Sequence, residues 1–575
     1  MLLFPALSAG PLERAEIYFL DAARAMLESG DWLVPRYQGQ PFFDKPILTY
    51  WLMATAFEAV GPSAGAARMV SAFAALGVVL ATAWLGLRLF GERTGIAAAL
   101  VLSTTLIFVA FGRLAMSDML LTLWTTLAVA VAARILWPPR ARSPAAWVVA
   151  LGILLGLGFA TKGPVAWVMA AIPIFLLVWW WWWRDPLPVS PGALLAGLLA
   201  LVVVAGGWFV AVYARLGSEP LAYFFLRENL ERFAAETYDV GRPFWYYPPA
   251  YLLTGLPWSL LLLPALLRIR RDDASSLLAA WIAVALVLLS LSRGKLDYYL
   301  LPLYPAMALL LGRWLSEVRW ARADRAFARL ALLISAVGLG AVAALPERFD
   351  SAWLPVPVAC FVLVAVALAG AFACLAAAFR PTPGRVMGTL AVAAGGIGVV
   401  LVTAFLPAFR AGQPNRALAE DVRRERSYRP DARVVACVDP ARLERDVLFE
   451  ARVTVERRCD LWNVAPSREP FLFLLRPEER ESLARIPGFR EVAHYRYLPA
   501  ATLTLSGFLE PGEPRLVVLG ANFATHDPVA DMRRKKLRKQ EFREEYEGQG
   551  MGQPTAPDTG QSRRRRHPRR RSSRR

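Results

Sequence analysis

The chain has 575 residues, 56% of them hydrophobic and 19% charged, with a mean hydropathy of +0.39. It is too apolar and too sparsely charged for a soluble globular protein of this length, and its 20 tryptophans suit a chain that repeatedly meets a membrane–water interface. The net charge of +19 does not point to nucleic acid. Residues 533–575 hold 16 Lys and Arg against 5 Asp and Glu, a polybasic tail that touches anionic lipid or stays solvated.

In chain order, residues 1–10 (MLLFPALSAG) are apolar but only about half the length of a membrane helix, and read as a truncated or partial first span. Residues 11–65 form a polar loop rich in turn residues, with an apolar stretch at 46–61 expected to lie as a helix at the interface. Twelve apolar runs follow, at roughly 66–88, 95–111, 118–137, 145–161, 164–183, 191–216, 248–267, 275–292, 298–315, 325–346, 353–379 and 386–408. Together, 66–408 reads as a transmembrane bundle. Residues 409–531 change character: the short apolar runs 433–438, 471–475 and 515–519, with polar helical stretches between them, predict a small α/β domain. Residues 532–575 have the composition of a disordered basic tail. The expected fold class is thus an all-α polytopic bundle of about 12–13 helices, with interfacial helices in its first loop and a small C-terminal α/β domain.

Loop charge orients the bundle. Arg88 and Arg93, Arg140 and Arg142, Arg184, Arg268 to Arg271, Arg313 to Arg325, and Arg380 with Arg385 fall on alternate connections and are expected to be cytoplasmic. The first loop, 112–117, Lys162, 217–247, 290–297 and 347–352 then lie on the far side, together with the C-terminal region. Of four cysteines, Cys360 and Cys374 sit within an apolar span and read as packing residues; Cys437 and Cys459 lie in the C-terminal region and could pair outside the cytosol. All three histidines come late (His494, His526, His567), so a histidine-based site in the bundle is excluded, and no metal or other cofactor is called for.

The far-side connections collect the unusual side chains. The first loop offers Glu13, Glu16, Asp21, Asp31, Arg36, Asp44 and Lys45; the next, Arg113 and Asp118; then Lys162, Arg227, Glu228 and Arg232. Arg242 is followed by Phe244-Trp245-Tyr246-Tyr247, and Arg293, Lys295 and Asp297 by Tyr298-Tyr299. Charges at span ends are costly unless they pair or face a wet cavity, so five loops carrying them at one face suggest a shared site. Lys45, Lys162, Arg293 and Lys295 suit a phosphate or pyrophosphate headgroup. A first-loop carboxylate suits activation of a hydroxyl or amine, and apolar walls suit a lipid chain. Read blandly, Asp44-Lys45 is a structural ion pair, Asp118 an N-cap, Asp31-Trp32 an interface turn and Trp179–Trp183 an interface belt.

Several of these segments resemble a known family. They are Ala23 to Trp32 with Pro35-Arg36, Gly39 and Phe43-Asp44-Lys45-Pro46 up to Tyr50-Trp51; Arg113 to Asp118; Thr161-Lys162-Gly163-Pro164; Arg227 to Phe233; Pro243 to Tyr247; Leu256-Pro257-Trp258; and Ser292 to Leu296. They are similar to motifs of the GT-C glycosyltransferases of the lipid A aminoarabinose transferase and dolichyl-phosphate-mannose–protein mannosyltransferase type, and cover roughly 13–310. The resemblance implies inverting transfer of a sugar from a polyprenyl-phosphate monosaccharide to a lipid, glycan or protein acceptor at the periplasmic face of a bacterial inner membrane. By position it makes Lys45 and Lys162, then Arg293 and Lys295, donor-phosphate ligands and Asp118 a second site carboxylate. Asp44, Arg36, Glu228, Arg227 and Tyr298 become supporting residues. The family's usual Asp-Glu pair falls on Ala15-Glu16, which leaves Glu16 as the first candidate for the base and Glu13 as the second. Asn229 stands where a His is often seen. The rival readings are a transporter or flippase, and a catalytically impaired member of the same fold.

Overall fold

In the computed structural model, the described residues are 2–10, 12–137, 145–183, 189–231, 242–268, 272–317, 319–344, 357–407, 415–436, 453, 455–457, 469–475, 489–497 and 515–522. Cys437, Cys459, Arg232 and the basic tail lie outside them. Residues 2–10 form turns and bends, and α1 follows over Arg14–Ser29. Glu13 and Glu16 close a capping box at its start, and Gly30 ends it in the left-handed region at φ 69°. A two-stranded ribbon comes next, β1 Arg36–Tyr37 against β2 Gln40–Pro41. Its turn needs positive φ at both central residues, supplied by Gln38 (51°) and Gly39 (77°). The interfacial helix expected at 46–61 is α2, Leu48–Val60.

Among the described residues, eight helices are long and apolar enough to cross a membrane, and they match eight of the expected spans. They are α3 Ala64–Phe90, α6 Ser117–Leu136, α7 Ala145–Lys162 and α9 Pro191–Leu216, then the helices Asp273–Leu291, Arg322–Ala343, Pro357–Phe379 and Pro383–Val400, the last continued by a π-turn to Phe405. The other four expected spans are each built from two pieces. The first is α4 Glu92–Ser103 followed by α5 Leu106–Phe111. The second is a π-turn Trp167–Ala171 running into α8, Ile172–Trp182. The third pairs helices Tyr247–Thr254 and Ser259–Leu267, and the fourth pairs a 3-10 turn Asp297–Leu303 with helix Tyr304–Glu317. Local chemistry explains two of the breaks. Thr104 and Thr105 turn their hydroxyls back onto the Leu100 and Val101 carbonyls, each at 2.7 Å, while Pro302 cannot continue a helical hydrogen-bond ladder.

The largest core runs through the bundle, with Phe108, Tyr247, Trp258, Trp281 and Trp314 fully buried in it. A second core joins the first loop to the bundle: Ile17, Leu20, Met26, Tyr50, Met53 and Phe57 pack with Trp208, Phe209 and Phe224. Polar ties reinforce this join. Trp208 donates to the Leu33 carbonyl at 2.9 Å, and Arg215 meets Asp31 at 2.8 Å. At the arginine-rich end of the bundle, Arg313 meets Asp272 at 2.7 Å and lies 4.4 Å from the Phe90 ring centre. The C-terminal region is a five-stranded mixed sheet of order β4-β3-β5-β7-β6. The strands are β3 Arg433–Ala436, β4 Val455–Arg457, β5 Phe471–Leu475, β6 Arg490–Tyr497 and β7 Arg515–Ala521, and the helix Asn415–Tyr428 packs against β6. The run Phe471–Leu475 is wholly buried, as a central strand covered on both faces should be.

Candidate active site at the first-loop face

Glu16 is fully buried at the start of α1. Arg68, the fifth residue of α3, grips it with two bonds of 2.8 Å from Nε and Nη2. The same carboxylate accepts the Ala115 N–H at 2.7 Å and the Glu13 N–H at 2.8 Å. Four donors saturate its two oxygens, so in this placement no lone pair remains for a substrate proton. Glu13 itself stands at the N-cap of α1. Arg68 also donates to the Leu7 and Ala9 carbonyls, both at 3.0 Å, and Arg113 holds the Leu2 and Pro5 carbonyls at 2.9 and 2.7 Å. Burial, with Arg68 nearby, lowers the Arg113 guanidinium to about 10.

Three residues beyond Ala115, Asp118 is buried and forms an ion pair with Lys162 at the end of α7. The Lys162 ammonium also lies 5.1 Å from the Tyr299 ring centre and 5.8 Å from that of Tyr298, within cation–π range. Gly163 then turns the chain at φ 72°, and a Cβ there would meet the Phe224 ring at 2.6 Å. That close approach seats the π-helical segment Tyr223–Glu231 against the end of α7. On this segment the buried Glu228 reaches the Lys45 ammonium at 3.6 Å, and Tyr223 donates to Asp44 at 2.9 Å. Lys45 also donates to the Asp44 carbonyl at 2.7 Å. The buried phenol of Tyr50 is pushed well above its ordinary range by burial and by the Asp44 and Glu228 charges.

A third group lies in the 292–299 connection. Lys295 is buried and donates to the Ser292 carbonyl and, at 3.1 Å, to that of Arg242; burial lowers its ammonium. Arg293 is exposed. Asp44, Lys45, Glu228, Asp118, Lys162 and Tyr298 are therefore gathered around Gly163 and the π-helical segment. Arg36 instead bonds the Gly39 carbonyl at 3.4 Å inside its own ribbon turn, and the exposed Arg227 lies 5.6 Å from the Tyr223 ring centre. Among the described residues, no three His, Cys, Asp or Glu side chains converge to hold a metal ion.

Arg68 and Tyr223 were not singled out from the sequence. Arg68 carried a signal nonetheless, since a lone arginine inside an apolar span needs an acidic or carbonyl partner. Phe159, one helical turn before Lys162 on α7, lines an apolar groove of about 490 Å³ together with Trp167, Phe209, Tyr213, Leu221 and Phe225.

Comparison with known proteins joins these observations. The family model for dolichyl-phosphate-mannose-protein mannosyltransferase matches residues 12–215. The chain is 32% identical over 348 residues to an undecaprenyl phosphate-alpha-4-amino-4-deoxy-L-arabinose arabinosyl transferase of Pectobacterium carotovorum, covering 57% of this chain and 61% of that one. It is 34% identical over 307 residues to a second such transferase, from Sodalis glossinidius, covering 52% and 54%. The chain thus spans less than two thirds of the length of these relatives. The crystal structure of ArnT from Cupriavidus metallidurans bound to undecaprenyl phosphate superposes with a TM-score of 0.69 at 19% identity, over 91% of this chain and 96% of that one. The chain has the ArnT fold. The all-α membrane bundle with a small C-terminal α/β domain is thus a fold this chain shares with a solved structure over most of its length. The chain is a multi-pass membrane protein.

Proposed function

We propose that this chain is an integral membrane glycosyltransferase that moves a sugar from a polyprenyl-phosphate monosaccharide to a lipid, glycan or protein acceptor at the periplasmic face of a bacterial inner membrane. The observation that carries the reading is the position of Lys162. A buried-side ammonium, ringed by Asp118, Tyr298 and Tyr299, stands one helical turn from the apolar groove at Phe159. An anionic headgroup and a long apolar chain are met side by side. The ArnT neighbour was crystallised with undecaprenyl phosphate, and the relatives carry arabinosyl transferase names, which supports the same donor class here.

In this reading Lys162 and Lys45 bind the donor phosphate, and exposed Arg293 completes the positive face. Lys295 shapes the 292–299 connection through the carbonyls it holds. Asp118 and Glu228 fix the two lysines, and Asp44 is held by Tyr223. The acceptor oxygen or nitrogen attacks the anomeric carbon as the bond to the phosphate oxygen breaks. The lysine charges stabilise the phosphate that leaves, and an inverted linkage results. A phosphate is a weakly basic leaving group and needs no general acid.

One observation favours the impaired-member reading: the enclosure of Glu16. Purified protein in nanodiscs, given undecaprenyl-phosphate-linked radiolabelled mannose or aminoarabinose together with bacterial membrane lipid and protein, decides between them. Label should leave the donor for the acceptor fraction, and Lys162→Ala should abolish transfer. Absence of transfer from every donor, with undecaprenyl phosphate still bound, would establish the impaired member. Solute uptake by proteoliposomes without transfer would establish a transporter.

A further inference from the structure

With Ala15 in place of the family's usual acid and Glu16 closed by four donors, the proposed reaction lacks an obvious proton acceptor. Among the described residues, the other carboxylates of this face that are at least half buried are already engaged. Asp21 meets Arg24, Asp31 meets Arg215, Asp118 meets Lys162 and Glu228 meets Lys45. Asp44 takes the Tyr223 hydroxyl, and Glu13 is held at the N-cap of α1.

Asp297 differs from all of these among the described residues. It is half-buried and opens the 3-10 turn Asp297–Leu303. Its Oδ1 accepts the Tyr298 N–H at 3.0 Å, and among the described residues no arginine or lysine forms an ion pair with it. Lys295, two residues before, spends its ammonium on the carbonyls of Ser292 and Arg242. The next two residues, Tyr298 and Tyr299, are the rings beneath the Lys162 ammonium. Asp297 also faces the aromatic wall opposite: burial and its negative charge push the Tyr246 phenol up, against the opposing Arg242 charge.

We infer that Asp297 is the base of this chain, positioned beside the Lys162 phosphate site to take the acceptor's proton. This rests on the glycosyltransferase reading and names the residue that reading leaves open. One oxygen is oriented by a backbone N–H and the other accepts nothing from the described residues, which leaves it for a proton, as a general base requires. In the step, the acceptor O–H or N–H proton passes to Asp297 Oδ2. The freed electron pair forms the bond to the anomeric carbon, and the pair of the breaking C–O bond goes to the polyprenyl phosphate.

The test measures kcat and donor KM in nanodiscs for wild type, Asp297→Asn, Asp297→Glu and Lys162→Ala, using undecaprenyl-phosphate-linked radiolabelled mannose or aminoarabinose. Thermal stabilisation by undecaprenyl phosphate alone reports donor-site integrity. Loss of a general base costs about 100-fold or more. Asp297→Asn should therefore lose about 100-fold in kcat with donor KM within about twofold. Its stabilisation by undecaprenyl phosphate should be intact, and Asp297→Glu should recover part of the rate. Lys162→Ala should lose the stabilisation. If Asp297→Asn turns over like wild type, or loses rate only together with undecaprenyl phosphate binding, Asp297 is not the base while the transferase reading stands. If wild type moves no label from any donor, the transferase reading fails and Asp297 as base fails with it.

Discussion

At the scale of single residues, the first question is what Glu16 does. A fully buried carboxylate held by Arg68 and two backbone N–H groups is a fastening between α1, α3 and the 112–116 connection. Removing one partner of a buried ion pair leaves an uncompensated charge and costs about 3–5 kcal/mol, whereas replacing both by apolar residues is often near neutral. Glu16→Gln should therefore lower the unfolding midpoint strongly, and Glu16→Leu with Arg68→Leu should recover most of that loss. If Glu16→Gln leaves the melting curve in place and abolishes turnover, Glu16 is a catalytic base after all. The Asp118–Lys162 pair makes the opposite prediction for binding. Asp118→Asn should leave the Lys162 charge in place without its tether, so undecaprenyl phosphate binding should weaken yet persist, while Lys162→Ala should remove it; a titration of each variant with undecaprenyl phosphate reads the difference.

At the scale of elements, the junction between α7 and the π-helical segment Tyr223–Glu231 decides the site. Gly163 is needed there twice, for its φ of 72° and because a Cβ would press into the Phe224 ring. Gly163→Ala should cost about 1–2 kcal/mol for the left-handed backbone alone, and more for the displaced ring. Because Glu228 rides on the displaced segment, donor affinity should fall along with stability; thermal unfolding and undecaprenyl phosphate titration on one sample check both. If stability falls and affinity does not, the segment does not position Lys45. The sequence displayed Thr161-Lys162-Gly163-Pro164 as a motif, and its apolar runs marked α3, α6, α7 and α9 within a few residues. It did not display which loop residues pair across the site, because Lys45 with Glu228, Asp118 with Lys162 and Glu16 with Arg68 are separated by long stretches of chain and meet only once helices pack. The four two-piece runs were likewise hidden, since hydropathy reads apolar length and not the Thr, Gly or Pro that interrupts a helix.

At the scale of the whole molecule, those two-piece runs carry the topology. Twelve crossings between the first loop and residue 410 return the C-terminal sheet to the face that bears Lys45; if a single run dips in and turns back, the sheet lies with Arg93 and Arg319 instead. Length favours crossing. The α4 and α5 pieces hold 12 and 6 residues, which at 1.5 Å each amount to roughly 27 Å, close to the roughly 30 Å hydrocarbon thickness. The turn Asp297–Leu303 and the helix Tyr304–Glu317 hold 7 and 14 residues, roughly 35 Å in all. Arginine placement agrees, with Arg313, Asp272 and Glu317 locked together at the opposite end from Lys162. In a variant lacking the four native cysteines, Gln40→Cys and Arg433→Cys should react with a membrane-impermeant maleimide on intact spheroplasts. Arg93→Cys and Arg319→Cys should react only after permeabilisation; all four positions are exposed, so access and not burial decides labelling. Labelling of Arg433→Cys only after permeabilisation would mean an odd number of crossings, and would move the C-terminal sheet away from the face that bears Lys45.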